Sequence, residues 1–184
     1  FDFGVGLRNP LMQALPDMLV LKLSDTPALA ASLKLLFAEA ETAYSGRQAV
    51  LDRLIEIIIV QLLRDLMDEN RLQVGLLAGL ANPKLARAIN AMHSDPSRTW
   101  TLEYLAKVAG MSRARFATKF RDTVGTTPGS YLTEWRIGVA QSLLRRGQPV
   151  QLVANAVGYA SASALSRAFI AQVGISPTDW RKQH

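Results

Sequence analysis

Apolar residues return at helical spacing along most of the chain, and the breaks fall at glycine, proline and small hydroxyl residues. After a start signal at Asp25-Thr26-Pro27, the residues Leu29, Leu33, Leu36, Phe37, Ala40 and Tyr44 share one face until Gly46, which predicts a helix over about 28–44. A second helix over about 48–69 is apolar around more than half its circumference, from Val50 and Leu51 through Ile57, Ile58 and Ile59 to Leu66 and Met67. Such a helix needs neighbours on two sides. We expect both the partner helix with upstream sequence and a second copy of the chain in a homodimer to contribute. Ahead of this pair the signals are mixed: an Asn9-Pro10 turn, one helical turn in LMQAL, and a short buried strand in MLVLKL.

The stretch GLLAGLANP, 75–83, loosens the helical pattern, and a domain boundary is expected there, dividing 1–81 from 82–184. Asn82 then caps, and Pro83 opens, a short helix carrying Leu85, Ala86, Ile89 and Met92. Beyond it the pattern repeats. Phe116, Phe120, Gly125, Pro128 and Tyr131 recur as Leu165, Phe169, Gly174, Pro177 and Trp180, each 49 residues on, while Ala106 and Gly110 recur as Ala154 and Gly158, 48 on. One residue inserted in a turn accounts for the difference.

Each copy, over about 101–124 and 150–173, has the same physical logic. A short helix carries a small alanine that permits a close crossing, and a glycine takes the left-handed corner. A serine, Ser112 or Ser161, caps the next helix, which buries two large residues four apart. This is a helix-turn-helix, whose second helix can enter a DNA major groove. With Phe116 and Phe120 facing in, Arg113, Ala114, Ala117, Thr118 and Arg121 face out; the equivalents in the second copy are Ala162, Ser163, Ser166 and Arg167, with Ile170 beside them. Small residues allow close approach, hydroxyls can bond bases or phosphates, and arginine can grip guanine through two bonds. Between the copies, SYLTEWRIGVAQSLLRRG reads as one linker helix ending at Gly147. At 1.5 Å per residue it forms a strut of about 25 Å, compatible with reading successive major grooves about 34 Å apart. Arg136, Arg145 and Arg146 are candidates for phosphate contacts; the alternative is that they only offset the helix dipole.

Charge sharpens this picture. Residues 1–83 hold seven Lys or Arg against ten Asp or Glu, net −3, whereas residues 84–184 hold fourteen against five, net +9. Cations gathered on one half suit a polyanion partner, double-stranded DNA; a merely solvated basic surface is the alternative. With no cysteine in the chain, disulfides, thiolate metal sites and cysteine nucleophiles are excluded. The two histidines, His93 and His184, have no nucleophile or carboxylate pair spaced around them, and His93 is read as a surface or helix-capping residue. No cofactor and no enzymatic activity are expected. Trp100, Trp135, Trp180 and Tyr131 are read as core rather than as base-stacking platforms. The longest apolar run is broken by Glu56, Arg64 and Asp65, so a cytoplasmic protein without a membrane span is expected. The start at Phe1 rather than methionine leads us to expect sequence upstream. Rival functions are a protein-binding helical adaptor and the DNA-targeting part of a DNA-modifying enzyme.

The pattern A…GY.S.S.L.RAF…..GISP..WR over 154–181 resembles the second-motif consensus of the AraC family of bacterial transcription regulators. TLEYLAKVAGMSRARFATKF…VGTTPGSYL resembles its first motif, so the likeness covers about the last hundred residues. Leu165 stands where an aromatic is common, Ile170 where a basic residue is common, and Thr118 where arginine is common. Residues 1–81 resemble the end of the cupin-type companion domain of some members. The resemblance implies an all-α chain of two helix-turn-helix modules on a linker helix, preceded by a helical pair and a short β-rich remnant. It further implies that most of a ligand-sensing β-barrel is absent, that the helices within 28–69 support dimerisation, that an effector binds upstream, and that the protein activates transcription by recruiting RNA polymerase.

Overall fold

The structure, a computed structural model, describes residues 21–68 and 74–183. They fall into two compact units that divide between Gln73 and Val74. The described residues are helical, without a strand. The turn, helical turn and strand expected before residue 21 lie outside the described residues, as do Glu69 at the end of the second expected helix and the terminal His184.

The first unit is a pair of helices packed on each other, α1 (Pro27–Glu41) and α2 (Arg47–Asp68). Thr26 stands at the N-cap of α1, but its hydroxyl donates back to the Lys22 carbonyl rather than capping. The helix ends one turn earlier than its apolar pattern suggests. The Thr42 amide and hydroxyl both bond to the Glu39 carbonyl, a local competitor that closes the helix and leaves Tyr44 in the turn, exposed. The inward face of α1 therefore runs through Leu29, Ser32, Leu33 and Leu36, whereas Leu35 and Phe37 are about 60% exposed (60% and 64%). On α2, Val50, Ile55 and Ile57 are exposed as well.

The second unit begins eight residues before the expected boundary. Residues 76–81, assigned from sequence to the first domain, form a helix, α3 (Leu76–Ala81), that belongs to the second. Leu76 and Leu80 pack into its core, and the Gly75 amide bonds to the Thr123 carbonyl at 2.9 Å. Gly79 permits this docking, because a Cβ there would lie 2.8 Å from both Ile89 and Val124. The loosened GLLAGLANP pattern is thus a close helix crossing rather than a linker.

The rest of the unit is α4 (Pro83–Ser94), α5 (Leu102–Ala109), α6 (Arg113–Val124), α7 (Pro128–Arg145), α8 (Val150–Ala156), α9 (Ala162–Val173) and α10 (Pro177–Gln183). The caps follow local chemistry. Asn82 accepts from the Lys84 and Leu85 amides, Thr101 from Tyr104, Ser112 from Arg115, Thr127 from Ser130, and Ser161 from Ala164. Two separate cores form. The first gathers Leu85, Ile89, Met92, Leu105, Phe116 and Phe120; the second gathers Val153, Ala154, Leu165, Phe169 and Trp180. Helix α7 belongs to both, giving Tyr131 and Leu132 to the first and Ile137, Ala140 and Leu144 to the second. Its 18 residues make a strut of about 27 Å.

Candidate nucleic-acid interface

Each module turns its corner at a glycine held at positive φ, Gly110 at 64° and Gly158 at 78°. Ala106 and Ala154 are fully packed at the crossings. Phe116 and Phe120 are wholly buried, their rings 5.6 Å apart, and Phe120 meets the Tyr131 ring edge-on at 5.7 Å. In the second module Leu165 and Phe169 take those places, with Phe169 edge-on to Trp180 at 6.1 Å. Trp180 and Tyr131 are therefore core residues, and Trp100 packs against the first core while its indole N–H donates to the Asp95 carbonyl.

Fixing the inner faces places the outer ones. On α6, Arg113, Ala114, Thr118 and Arg121 are exposed and Ala117 is half-buried. On α9, Ser163 and Arg167 are exposed, Ala162 and Ser166 are half-buried, and Ile170 is exposed. Ala117, Thr118 and Arg121 line one side of a groove of about 370 Å³, whose other walls include Trp100, Leu102 and the α7 start at Thr127, Pro128 and Gly129. No local stretch of sequence marks that groove, because its walls come from three elements. Arg115 and Lys119, also exposed on α6, were not singled out either. Nor was Arg98, whose guanidinium lies 4.3 Å from the Tyr104 ring centre and 5.0 Å from that of Trp100.

The three linker arginines take different surroundings. Arg136 is half-buried and donates to two backbone carbonyls, from Nε to Pro96 at 2.8 Å and from Nη2 to Arg98 at 2.9 Å. Its guanidinium is turned to the protein. Arg145 lies 5.7 Å from the Trp180 ring centre, and Arg146 stands exposed at the C-cap of α7.

His93 is neither a surface nor a capping residue. Its ring stacks on Trp135 at 3.6 Å and 16°, and its Nε2 shares a hydrogen bond with the Tyr131 hydroxyl. Burial holds the His93 pKa down at about 4 and pushes that of Tyr131 above its ordinary range. The imidazole is thus neutral at pH 7. Because its folded pKa lies below the unfolded value of 6.5, its contribution to stability is complete above pH 6.5 and is lost as pH falls towards 4. We expect the second unit to lose up to about 3 kcal/mol across that window. Denaturant titrations at several pH values should show this slope, and His93→Phe should flatten it. Asp95, whose pKa is lowered by its Ser97 hydrogen bond, titrates below the carboxylate's ordinary 3.8 and so outside the window. Among the described residues no group of three His, Cys, Asp or Glu is placed to hold a metal.

A pair of capped helix-turn-helix modules, carried on a body of net charge +9 and joined by one shared helix, defines a double helix-turn-helix protein. Residues 105–183 match the helix-turn-helix domain family, and residues 1–68 match the cupin family. An AraC-like transcription regulator of Streptomyces lividans is 38% identical over 99% of this chain, and the regulator AlkR of Acinetobacter baylyi is 35% identical over 99%. The chain spans about three-fifths of the length of these curated relatives, 61% and 60%. Among solved structures, the DNA-binding domain of AdpA, in complex with a target DNA, superposes with a TM-score of 0.52 at 32% identity, covering 55% of this chain and 92% of that one. The chain belongs to the AraC family of transcription regulators. Its relatives are named as regulators of transcription rather than as enzymes. No helix among the described residues is long and apolar enough to cross a membrane.

Proposed function

We propose that this chain is the greater part of a sequence-specific, DNA-binding transcription regulator that places α6 and α9 in adjacent major grooves. The observation that carries the proposal is the doubled outward face: two capped helices, each backed by its own core, present small, hydroxyl and arginine side chains on the basic unit. The contacts we assign are Arg113, Ala114, Ala117, Thr118 and Arg121 in one groove and Ala162, Ser163, Ser166 and Arg167 in the next. Arg145 and Arg146 are assigned to flanking phosphates.

The exposed Leu35, Phe37, Val50, Ile55 and Ile57 support a homodimer through α1 and α2, because an apolar surface of this kind is covered in a working protein. Family membership supports a cytoplasmic, non-enzymatic activator that recruits RNA polymerase and answers a small molecule bound in the cupin domain.

Affinity for a site selected from random DNA should fall linearly with salt on logarithmic axes, with a slope near −0.9 for each phosphate contacted. A protein-binding adaptor would show no such affinity. Arg167→Ala should relax preference at one base position by about 1–3 kcal/mol and leave the salt slope unchanged. Uniform weakening across sequences, with the slope reduced by about one, would instead make Arg167 a phosphate contact.

A further inference from the structure

Arg136 lies on α7 between Leu132, which serves the first core, and Ile137, which serves the second. The two carbonyls that its guanidinium engages, those of Pro96 and Arg98, belong to the segment leading from α4 into α5, the entry to the first helix-turn-helix. The corner of the second helix-turn-helix meets the same place. Gly158 approaches so closely that a Cβ there would stand 2.7 Å from Arg136 Nη2 and 2.5 Å from the Ser97 carbonyl oxygen. The Tyr159 ring centre is 5.7 Å from Arg136 Cζ. One side chain on the strut thus touches the entry of the first module and the corner of the second.

That position matters because each recognition helix is seated in its own core, and α7 is the member the two cores share. A helix shared end to end fixes a distance, but a modest bend or twist of it swings one module against the other. Two charge-assisted hydrogen bonds from the middle of the strut to the first module's backbone, with the second module's glycine corner closed over them, oppose that swing.

We propose that Arg136 is a positioning residue that fixes the angle between α6 and α9, and through it the half-site spacing the protein accepts, without itself touching DNA. The spacing part rests on the function proposed above; the angle part does not. One inserted base pair turns the second groove by about 34° around the duplex axis, so a stiff reader should reject it and a loosened one should tolerate it.

The test reads both parts on the full chain. Because no native cysteine is present, Lys107→Cys on α5 and Ala171→Cys on α9, both exposed positions, accept spin labels cleanly. Pulsed electron paramagnetic resonance should give a narrow distance distribution in the otherwise unchanged chain. The distribution should broaden in Arg136→Gln and broaden less in Arg136→Lys, which keeps one charged donor. An unchanged distribution in Arg136→Gln would overturn the proposal, and circular dichroism on the same samples establishes that the helices persist. Should Arg136→Gln unfold, the lysine variant decides alone, with broadening in favour and an unchanged width against.

On DNA, one base pair inserted between the half-sites of a selected site should weaken the parent by about tenfold or more, an effect comparable to one mismatch. In Arg136→Gln that penalty should shrink to about threefold or less, with the salt slope unchanged. Equal weakening at every spacing, with the slope reduced by about one, would make Arg136 a phosphate contact and refute the proposal. Broadened distances in a chain that binds no DNA would support the bracket and refute the function.

Discussion

Phe169→Ala should remove about 3–5 kcal/mol from the second module and shrink a two-half-site footprint to one. Phe169 is wholly buried, edge-on to Trp180, in a cluster with Leu144, Val153, Ala154 and Leu165. Truncation there opens a cavity that α9 cannot collapse into while it is held at both ends, by the Ser161 cap and by the left-handed Gly174. The first core shares no side chain with the second, so Phe116, Phe120 and the α6 face should keep their arrangement. Nuclease footprinting of the variant tests this directly. Protection lost from both half-sites together, or kept at both, would show that the modules stand or fall as one. Phe120→Ala should give the mirror-image result, because Phe120 holds α6 against Tyr131 as Phe169 holds α9 against Trp180.

Gly158→Ala is the second large effect, and Gly174→Ala is its control. Both glycines hold left-handed backbones, at φ 78° and 90°, so each substitution carries strain of about 1–2 kcal/mol. Their surroundings differ. Nothing lies within 4 Å of a Cβ built on Gly174, whereas one on Gly158 would meet the Ser97 carbonyl oxygen at 2.5 Å and carbon at 2.9 Å. Backbone cannot swing aside as a side-chain tip can. We expect roughly 3 kcal/mol or more from Gly158→Ala against about 1 kcal/mol from Gly174→Ala, read as denaturant midpoints of the full chain. Equal costs would mean that the corner and the Ser97 segment separate freely in solution.

What could be read from sequence was whatever depends on neighbours in the chain. The Ser112, Thr127 and Ser161 caps and the left-handed Gly110, Gly125 and Gly174 follow from residues within one turn, and a duplication displays them twice. What escaped depends on residues far apart. Arg136 meets partners 38 and 40 positions away, and His93 meets Tyr131 38 positions away, so neither role has a local signature. Residues 76–81 fall in the second unit rather than the first, although Gly75 and Gly79 resemble a linker until Ile89 and Val124 are seen against Gly79. The early stop of α1 shows the converse limit, where a single hydroxyl at Thr42 outcompetes a continuing apolar stripe. The outward residues of α6 and α9 were inferred only by subtraction from the buried ones.

The shared membership of α7 in both cores bears on how such a protein can be divided. A fragment ending near Arg145 would leave Ile137, Ala140 and Leu144 as a bare greasy stripe, and one beginning at Pro128 would leave Tyr131 and Leu132 bare in the same way. Neither half can be excised cleanly. Gene duplication followed by fusion would then be hard to reverse, since losing one copy exposes the seam of the other.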